Sequence, residues 1–276
     1  MSTAESEIMA DEYLVPAAEF SVREYAKTAR GSHRDELDLT KYLDRPLAWD
    51  VLEMVDYLSL LERGALQYLR SVLVTPTHKD GRVAAFLVNW AYEKFWIADA
   101  LEQIVLAHPK HPDASKTRPG FFARVRFSIA ERTEPIRESV VANLIGEDII
   151  AVHMFTGAVD DWILESAYDR LIDSCGHDEL VKDLTSLREV KRRHTEFFTA
   201  QMRDRLAASP KAAPLARRRL KKIAWPLGAE ECSPALAARL SRDLLHPEDI
   251  TAIDARIAEF ADADLQLVAR AARSER

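Results

Sequence analysis

The sequence predicts an all-α protein, a four-helix bundle with additional N- and C-terminal helices. Three observations carry this. Ala, Leu, Glu and Arg dominate, and all are good helix formers. Gly is scarce, at 8 of 276 residues, and the 12 Pro fall mostly at segment joints, where they punctuate rather than break helices. No run alternates polar and apolar residues for long, and no Asn-Gly or Asp-Gly turn joins two β-branched runs. At this length the chain buries a sizeable core and needs no disulfide or metal to fold.

The elements follow in order. Residues 1–46 are polar and mixed in charge, an arm with one short helix near Val22–Ala29 that ends at Arg45-Pro46. Residues 47–209 form the bundle. Its first long segment runs from Leu47 to Val74 and stops at Thr75-Pro76, and the second from Gly81 to Ala107 and stops at His108-Pro109. Residues 109–119 have loop composition. Helical pattern resumes at Phe121, with a break near Gly146, and reaches Cys175, where Gly176 is a good stop. The fourth segment runs from Asp178 to Ser209-Pro210. Residues 210–276 are a helical extension: a short basic piece over Ala216–Trp225, a helix capped by Ser233-Pro234, and a last one opened by His246-Pro247-Glu248-Asp249.

A formal net charge of -7 argues against a general nucleic-acid binder, which carries a basic stripe. Cys175 and Cys232 are far apart and form no CxxC pair, so both are read as reduced thiols. The start Met1-Ser2-Thr3-Ala4-Glu5 has no basic and apolar signal pattern, and no stretch is apolar enough to span a membrane. A cytoplasmic location is expected.

Register singles out the interior. In the first segment Val51, Val55, Leu58, Glu62, Ala65, Leu69 and Val72 alternate steps of four and three, which keeps one helix face on the core. The second gives Val83, Leu87, Trp90, Lys94, Ile97, Leu101 and Ile104. The third gives Met154, Ala158, Asp161, Glu165, Tyr168 and Ile172, and the fourth Leu180, Leu184, Leu187, Lys191, His194 and Phe198. Each long helix therefore places a charge at mid-length on its inward face. A lone buried charge costs several kcal/mol, so the pattern predicts that the four meet, Glu62 and Glu165 neutralising Lys94 and Lys191 with His194 as a hydrogen-bonding neighbour. The alternative for any one of them is a seam-edge position with its head in water.

These motifs resemble the ferritin-like di-iron carboxylate proteins, and within them the acyl-carrier-protein desaturases and their smaller bacterial relatives. That architecture places one Glu on each of two helices and Glu-x-x-His on each of the other two. The desaturase second helix reads W-x-x-E-E-x-x-H-G-x-x-L. Here the run Trp90-Ala91-Tyr92-Glu93-Lys94-Phe95-Trp96-Ile97-Ala98-Asp99-Ala100-Leu101 keeps the Trp, the first Glu, a small residue and the Leu. The ligand Glu falls on Lys94 and the ligand His on Ile97. The fourth helix of the family reads D-E-x-R-H. Val190-Lys191-Arg192-Arg193-His194 keeps Arg and His, with Lys191 at the ligand Glu and Phe197 and Phe198 following. Glu62 is similar to the first-helix ligand and Glu165 to the third. The resemblance covers residues 47–208, and an alternative register that pairs Glu93 with Trp96 fits the seam less well.

The family implies di-iron, but only Glu62, Glu165 and His194 remain as ligands, and two ammonium groups have no lone pair to give a cation. Loss of the metals and of oxygen chemistry is expected, the lysines standing in for them, with no cofactor. Three function classes stay open. A metal-free enzyme would act on a small organic or acyl substrate, using Glu62, Lys94, Glu165, Lys191 and His194 for acid–base or Schiff-base chemistry, beside a pocket of Trp90, Ile97, Asp161, Trp162 and Tyr168. A non-catalytic ligand- or partner-binding scaffold is the second. An unusual metal-dependent oxidase or oxygenase, with a site such as Glu62, Glu165, His194 and Asp161, is the third. The first is preferred, because an inert core is free to become wholly apolar. Arg217, Arg218, Arg219, Lys221 and Lys222 form a basic run that suits an acidic carrier protein or a membrane surface, although a solvated helix on an acidic protein is the preferred account. The ferritin-like resemblance also implies a homodimer.

Overall fold

The computed structural model describes residues 19–108, 146–229 and 233–273, and every regular element among them is helical. The expected loop at 109–119, the helical onset at Phe121 and Cys232 lie outside the described residues. In chain order the helices are α1 (Val22–Lys27), α2 (Leu39–Asp44), α3 (Trp49–Leu73), α4 (Gly81–Leu106), α5 (Asp148–Ser174), α6 (Asp178–Ala208), α7 (Ala212–Leu220), α8 (Pro234–Leu244), α9 (Pro247–Ala261) and α10 (Leu267–Arg273). A 3-10 turn, Pro76–Lys79, joins α3 to α4.

Local chemistry sets these boundaries. Thr75 caps the 3-10 turn by accepting from Thr77 N–H, and Pro76 takes the first position, where its missing N–H costs nothing. Asp80 caps α4, accepting from the N–H groups of Arg82 and Val83 at 3.1 and 3.0 Å. Gly176, at φ +59°, lets the chain turn back after α5, a conformation that a Cβ disfavours. His177 then caps α6. Its Nδ1 accepts from Leu180 N–H at 3.3 Å while its Nε2 donates to the Arg45 carbonyl at 2.8 Å. Ser233 caps α8 with Pro234 behind it, as the sequence suggests. The arm holds one helix more than expected, α2, whose Tyr42 hydroxyl donates to buried Asp183 on α6 at 2.8 Å.

The four long helices pack as two hairpins, α3 against α4 and α5 against α6. The periodic stripes of all four face one core, and nearly every seam residue is buried. Gly157 permits a close approach inside the second hairpin, since a Cβ there would come within 2.3 Å of the Phe198 ring. The extension packs on the other side of α5, where Trp162 meets Phe260 with ring centroids 6.2 Å apart. A loop through Leu227 and Gly228 lies on α3, so that a Cβ on Gly64 would sit 3.3 Å from the Gly228 Cα. No helix among the described residues is long and apolar enough to cross a membrane.

Candidate functional site

The charged seam positions do meet. Glu62, on α3, is wholly buried between the two lysines: its Oε2 lies 2.7 Å from Lys94 Nζ and its Oε1 2.9 Å from Lys191 Nζ. Asp161, on α5, closes the ring, with Oδ1 3.4 Å from Lys191 Nζ and 3.9 Å from Lys94 Nζ. Its neighbour Asp160 sits at the edge. Asp160 Oδ2 is 3.9 Å from Lys94 Nζ, and its Oδ1 accepts from Leu227 N–H at 2.8 Å, tying the C-terminal loop to the cluster. Lys94 also lies 5.4 Å from the Trp90 ring and Lys191 5.7 Å from the Tyr168 ring, both within cation–π range.

Electrostatics follow from this geometry. Burial pushes the Glu62 carboxyl up, but Lys191 and Lys94 overturn that and hold it at about 2. Burial likewise opposes charge on Lys191, yet Glu62 and Asp161 raise its pKa above the ordinary lysine range. Asp160 goes the other way. Burial dominates, Lys94 only partly compensates, and its pKa rises to about 7.

A second cluster sits beside the first. Glu93, on α4, is fully buried and takes four donors. Its Oε2 accepts from Tyr25 Oη at 2.5 Å and His194 Nε2 at 2.7 Å; its Oε1 accepts from Arg30 N–H at 2.7 Å and Arg193 Nη2 at 2.6 Å. Burial raises the Glu93 pKa, but His194, Tyr25 and the Arg30 N–H together bring it below the usual range. Burial keeps His194 below its ordinary value despite Glu93. Nε2 therefore carries the His194 proton, and Nδ1 is buried without a hydrogen-bond partner among the described residues.

Several sequence expectations change here. Glu165 does not neutralise the lysines. It lies one turn beyond Asp161, partly exposed, and accepts from Thr195 Oγ1 at 2.8 Å. Burial, with Asp161 nearby, raises it to about 7. Asp161, expected in a pocket wall, is the carboxylate in contact with both lysines. His194 turns its bonding nitrogen to Glu93 rather than to the charged ring. Trp90, Ile97 and Tyr168 are buried packing residues of the core, whereas Trp162 faces the extension, donating to Thr199 Oγ1 at 3.3 Å under the Arg256 guanidinium. The basic run is divided as well: Arg217 donates to the Ala261 carbonyl at 2.9 Å, Arg219 is partly buried, and Arg218, Lys221 and Lys222 face solvent.

Glu93 lies one position off the inward stripe of α4, so the spacing that marks the other charges does not mark it. Phe86, Glu93 and Ala100 recur every seven residues on α4, and all three are buried. A second buried stripe on one helix signals a further layer, here the N-terminal arm. The residues do not fit a di-iron centre. Ammonium groups stand at two of the positions that the resemblance assigns to ligands, His194 Nε2 is engaged by Glu93, and no group of three His, Cys, Asp or Glu among the described residues is placed to hold a metal ion. Comparison with family models, curated proteins and solved structures finds no match to this chain.

Proposed function

We propose that this chain is a ferritin-like four-helix bundle whose metal centre has been replaced by internal ion pairs, and that it serves as a metal-independent ligand- or partner-binding scaffold. The observation that carries this reading is Glu62 bridging both lysines at 2.7 and 2.9 Å, with Lys94 1% and Lys191 0% exposed. Schiff-base chemistry needs a neutral amine that a carbonyl can reach. Lys191 has the opposite properties, a raised pKa and no exposure. The ammonium groups place positive charge, though less of it, where two metals would sit, and the mutual pairing fixes how the two hairpins face each other, a role in which buried charges are best attested. Binding then belongs to surfaces away from the lysine pair.

Borohydride trapping with a panel of aldehydes and ketones, read by peptide mass spectrometry, tests this together with elemental analysis. The expected result is no adduct on Lys94 or Lys191, no stoichiometric iron or manganese, and a melting temperature unchanged by a chelator. A reduced adduct on either lysine would restore the enzyme reading. Two metals per chain would restore the metal-dependent one.

A further inference from the structure

The N-terminal arm lies across the seam between α4 and α6, and its main anchor is one side chain. Tyr25 is recognised on every side. Its hydroxyl donates to Glu93 Oε2 at 2.5 Å, its ring stacks on Phe86 with centroids 5.2 Å apart and planes at 30°, and the Arg193 guanidinium lies 5.0 Å from its centroid. The His194 ring meets it edge-on at 6.3 Å. Phe86 in turn stacks on Phe197 of α6 at 3.7 Å, so the aromatic floor belongs to the long helices and not to the arm. We infer that Tyr25 fills a phenol-binding site made by Glu93, His194, Phe86 and Arg193, and that residues 20–36 are a strap whose release opens this site to a hydroxyaryl ligand.

The receptor side does not need Tyr25 to stay in place. Glu93 keeps its bonds to His194 and Arg193, both on α6, and these hold the carboxylate as an acceptor aimed at a hydroxyl. An ionised carboxylate makes a stronger bond to a phenol than a neutral acceptor does, and the Arg193 guanidinium, 2.6 Å from Glu93 Oε1 and independent of the strap, favours the ionised form. The planar floor and the guanidinium above it select a flat aromatic ring over an aliphatic alcohol.

The strap is the separable part. α1 has 6 residues, too few to persist as a helix without tertiary anchoring. Tyr25 is its only buried residue, and Arg23, Glu24, Ala26 and Lys27 are exposed. Beyond Tyr25, buried His33 and the partly buried Phe20 ring, which meets Phe86 and Phe197 at 6.0 and 5.1 Å, its ties are single polar bonds: the Arg30 N–H to Glu93, Arg193 to Thr28, Arg82 to the Phe20 carbonyl, and exposed Arg34 to Asp99. Segments with few buried contacts open well below the global unfolding free energy. The site uses a different carboxylate from the lysine pair, so its test is independent of the trapping experiment.

Amide hydrogen exchange on the full chain tests this, with 4-methylphenol as the probe and toluene as its hydroxyl-free control. Saturating 4-methylphenol is expected to speed exchange over residues 22–31 by about tenfold or more, the size of one lost hydrogen bond to a charged group. Amides of α3–α6 should keep their protection, and toluene should leave the strap unchanged. Tyr25→Ala should bind 4-methylphenol more tightly than the natural chain, and adding Glu93→Gln should remove the preference over toluene. Tyr25→Phe provides the same reading if the alanine variant does not fold, because it deletes only the hydroxyl that competes for Glu93. Strap exchange that does not respond to 4-methylphenol, or that responds equally to toluene, overturns the inference.

Discussion

Glu62 and Glu93 are buried carboxylates on neighbouring helices, and both are held below the ordinary carboxylate range, but by opposite means. Glu62 is stabilised by net charge: two ammonium groups within 2.9 Å. Its oxygens and Lys94 Nζ sit at ion-pair distance without the alignment of directed hydrogen bonds. Glu93 is stabilised by direction, with a phenol, an imidazole, a backbone N–H and a guanidinium filling its lone pairs. Charge pairing inside a low-dielectric core is strong and unforgiving, because any deletion strands a counter-charge. A satisfied hydrogen-bond network spreads its energy over several partners, and one of these, Arg193, reaches solvent. The first arrangement suits a permanent core and the second a contact that opens.

The contrast breaks or holds on stability. Lys191→Met leaves Asp161 and Glu62 facing Lys94 alone, and should cost roughly 3–5 kcal/mol in urea unfolding. Adding Asp161→Asn restores the charge balance, so the double variant should be more stable than the sum of the single effects by about 1–3 kcal/mol. A strictly additive cycle would mean that the ring in the structure does not act as a unit. Glu93→Gln should cost less, about 2 kcal/mol, in the range of one hydrogen bond to a charged group. The amide oxygen still accepts from one donor pair and Arg193 turns outward. A loss as large as that of Lys191→Met would put the two clusters in one class.

Much of this was legible in the sequence, and its gaps have physical causes. Steps of three and four placed Glu62, Lys94, Asp161, Lys191 and His194 on buried faces, because a helix has one inward stripe and a charge within it has nowhere else to go. The segment ends at Thr75-Pro76, Gly176 and Ser233-Pro234 coincide with caps and stops in the structure. Periodicity does not fix the level at which helices meet. Asp161 and Glu165 are one turn apart on the same face, about 6 Å along the axis, and only contact with Lys191 distinguishes them. Nor does a single apolar stripe show a third layer, since Glu93 lies on a second one whose burial depends on the arm. Glu93 looked like an off-register carboxylate until Tyr25 and Arg30, more than sixty residues earlier in the chain, covered it.

Glu165 offers the smallest and sharpest test, since it has neither of the two supports. No lysine lies within ion-pair distance of it among the described residues, and Thr195 supplies a single donor. Burial therefore wins, raising it from an ordinary value near 4.5 to about 7. A carboxyl whose folded pKa lies above its unfolded one binds more protons in the folded state between those two values. Its favourable contribution is complete below the unfolded value, declines as pH rises through the window, and is gone above about 7. Glutamine keeps the oxygen that accepts from Thr195 and has no charge to bury. Glu165→Gln should then match the natural chain near pH 5 and exceed its stability near pH 8, by on the order of 1 kcal/mol after allowance for partial solvent exposure. Urea unfolding of both chains at the two pH values measures this difference directly. A variant less stable than the natural chain at the higher pH would show that Glu165 is ionised and paired after all. It would then share the work of Asp161, as the seam spacing expects, and the lysine cluster would have to be drawn one turn longer.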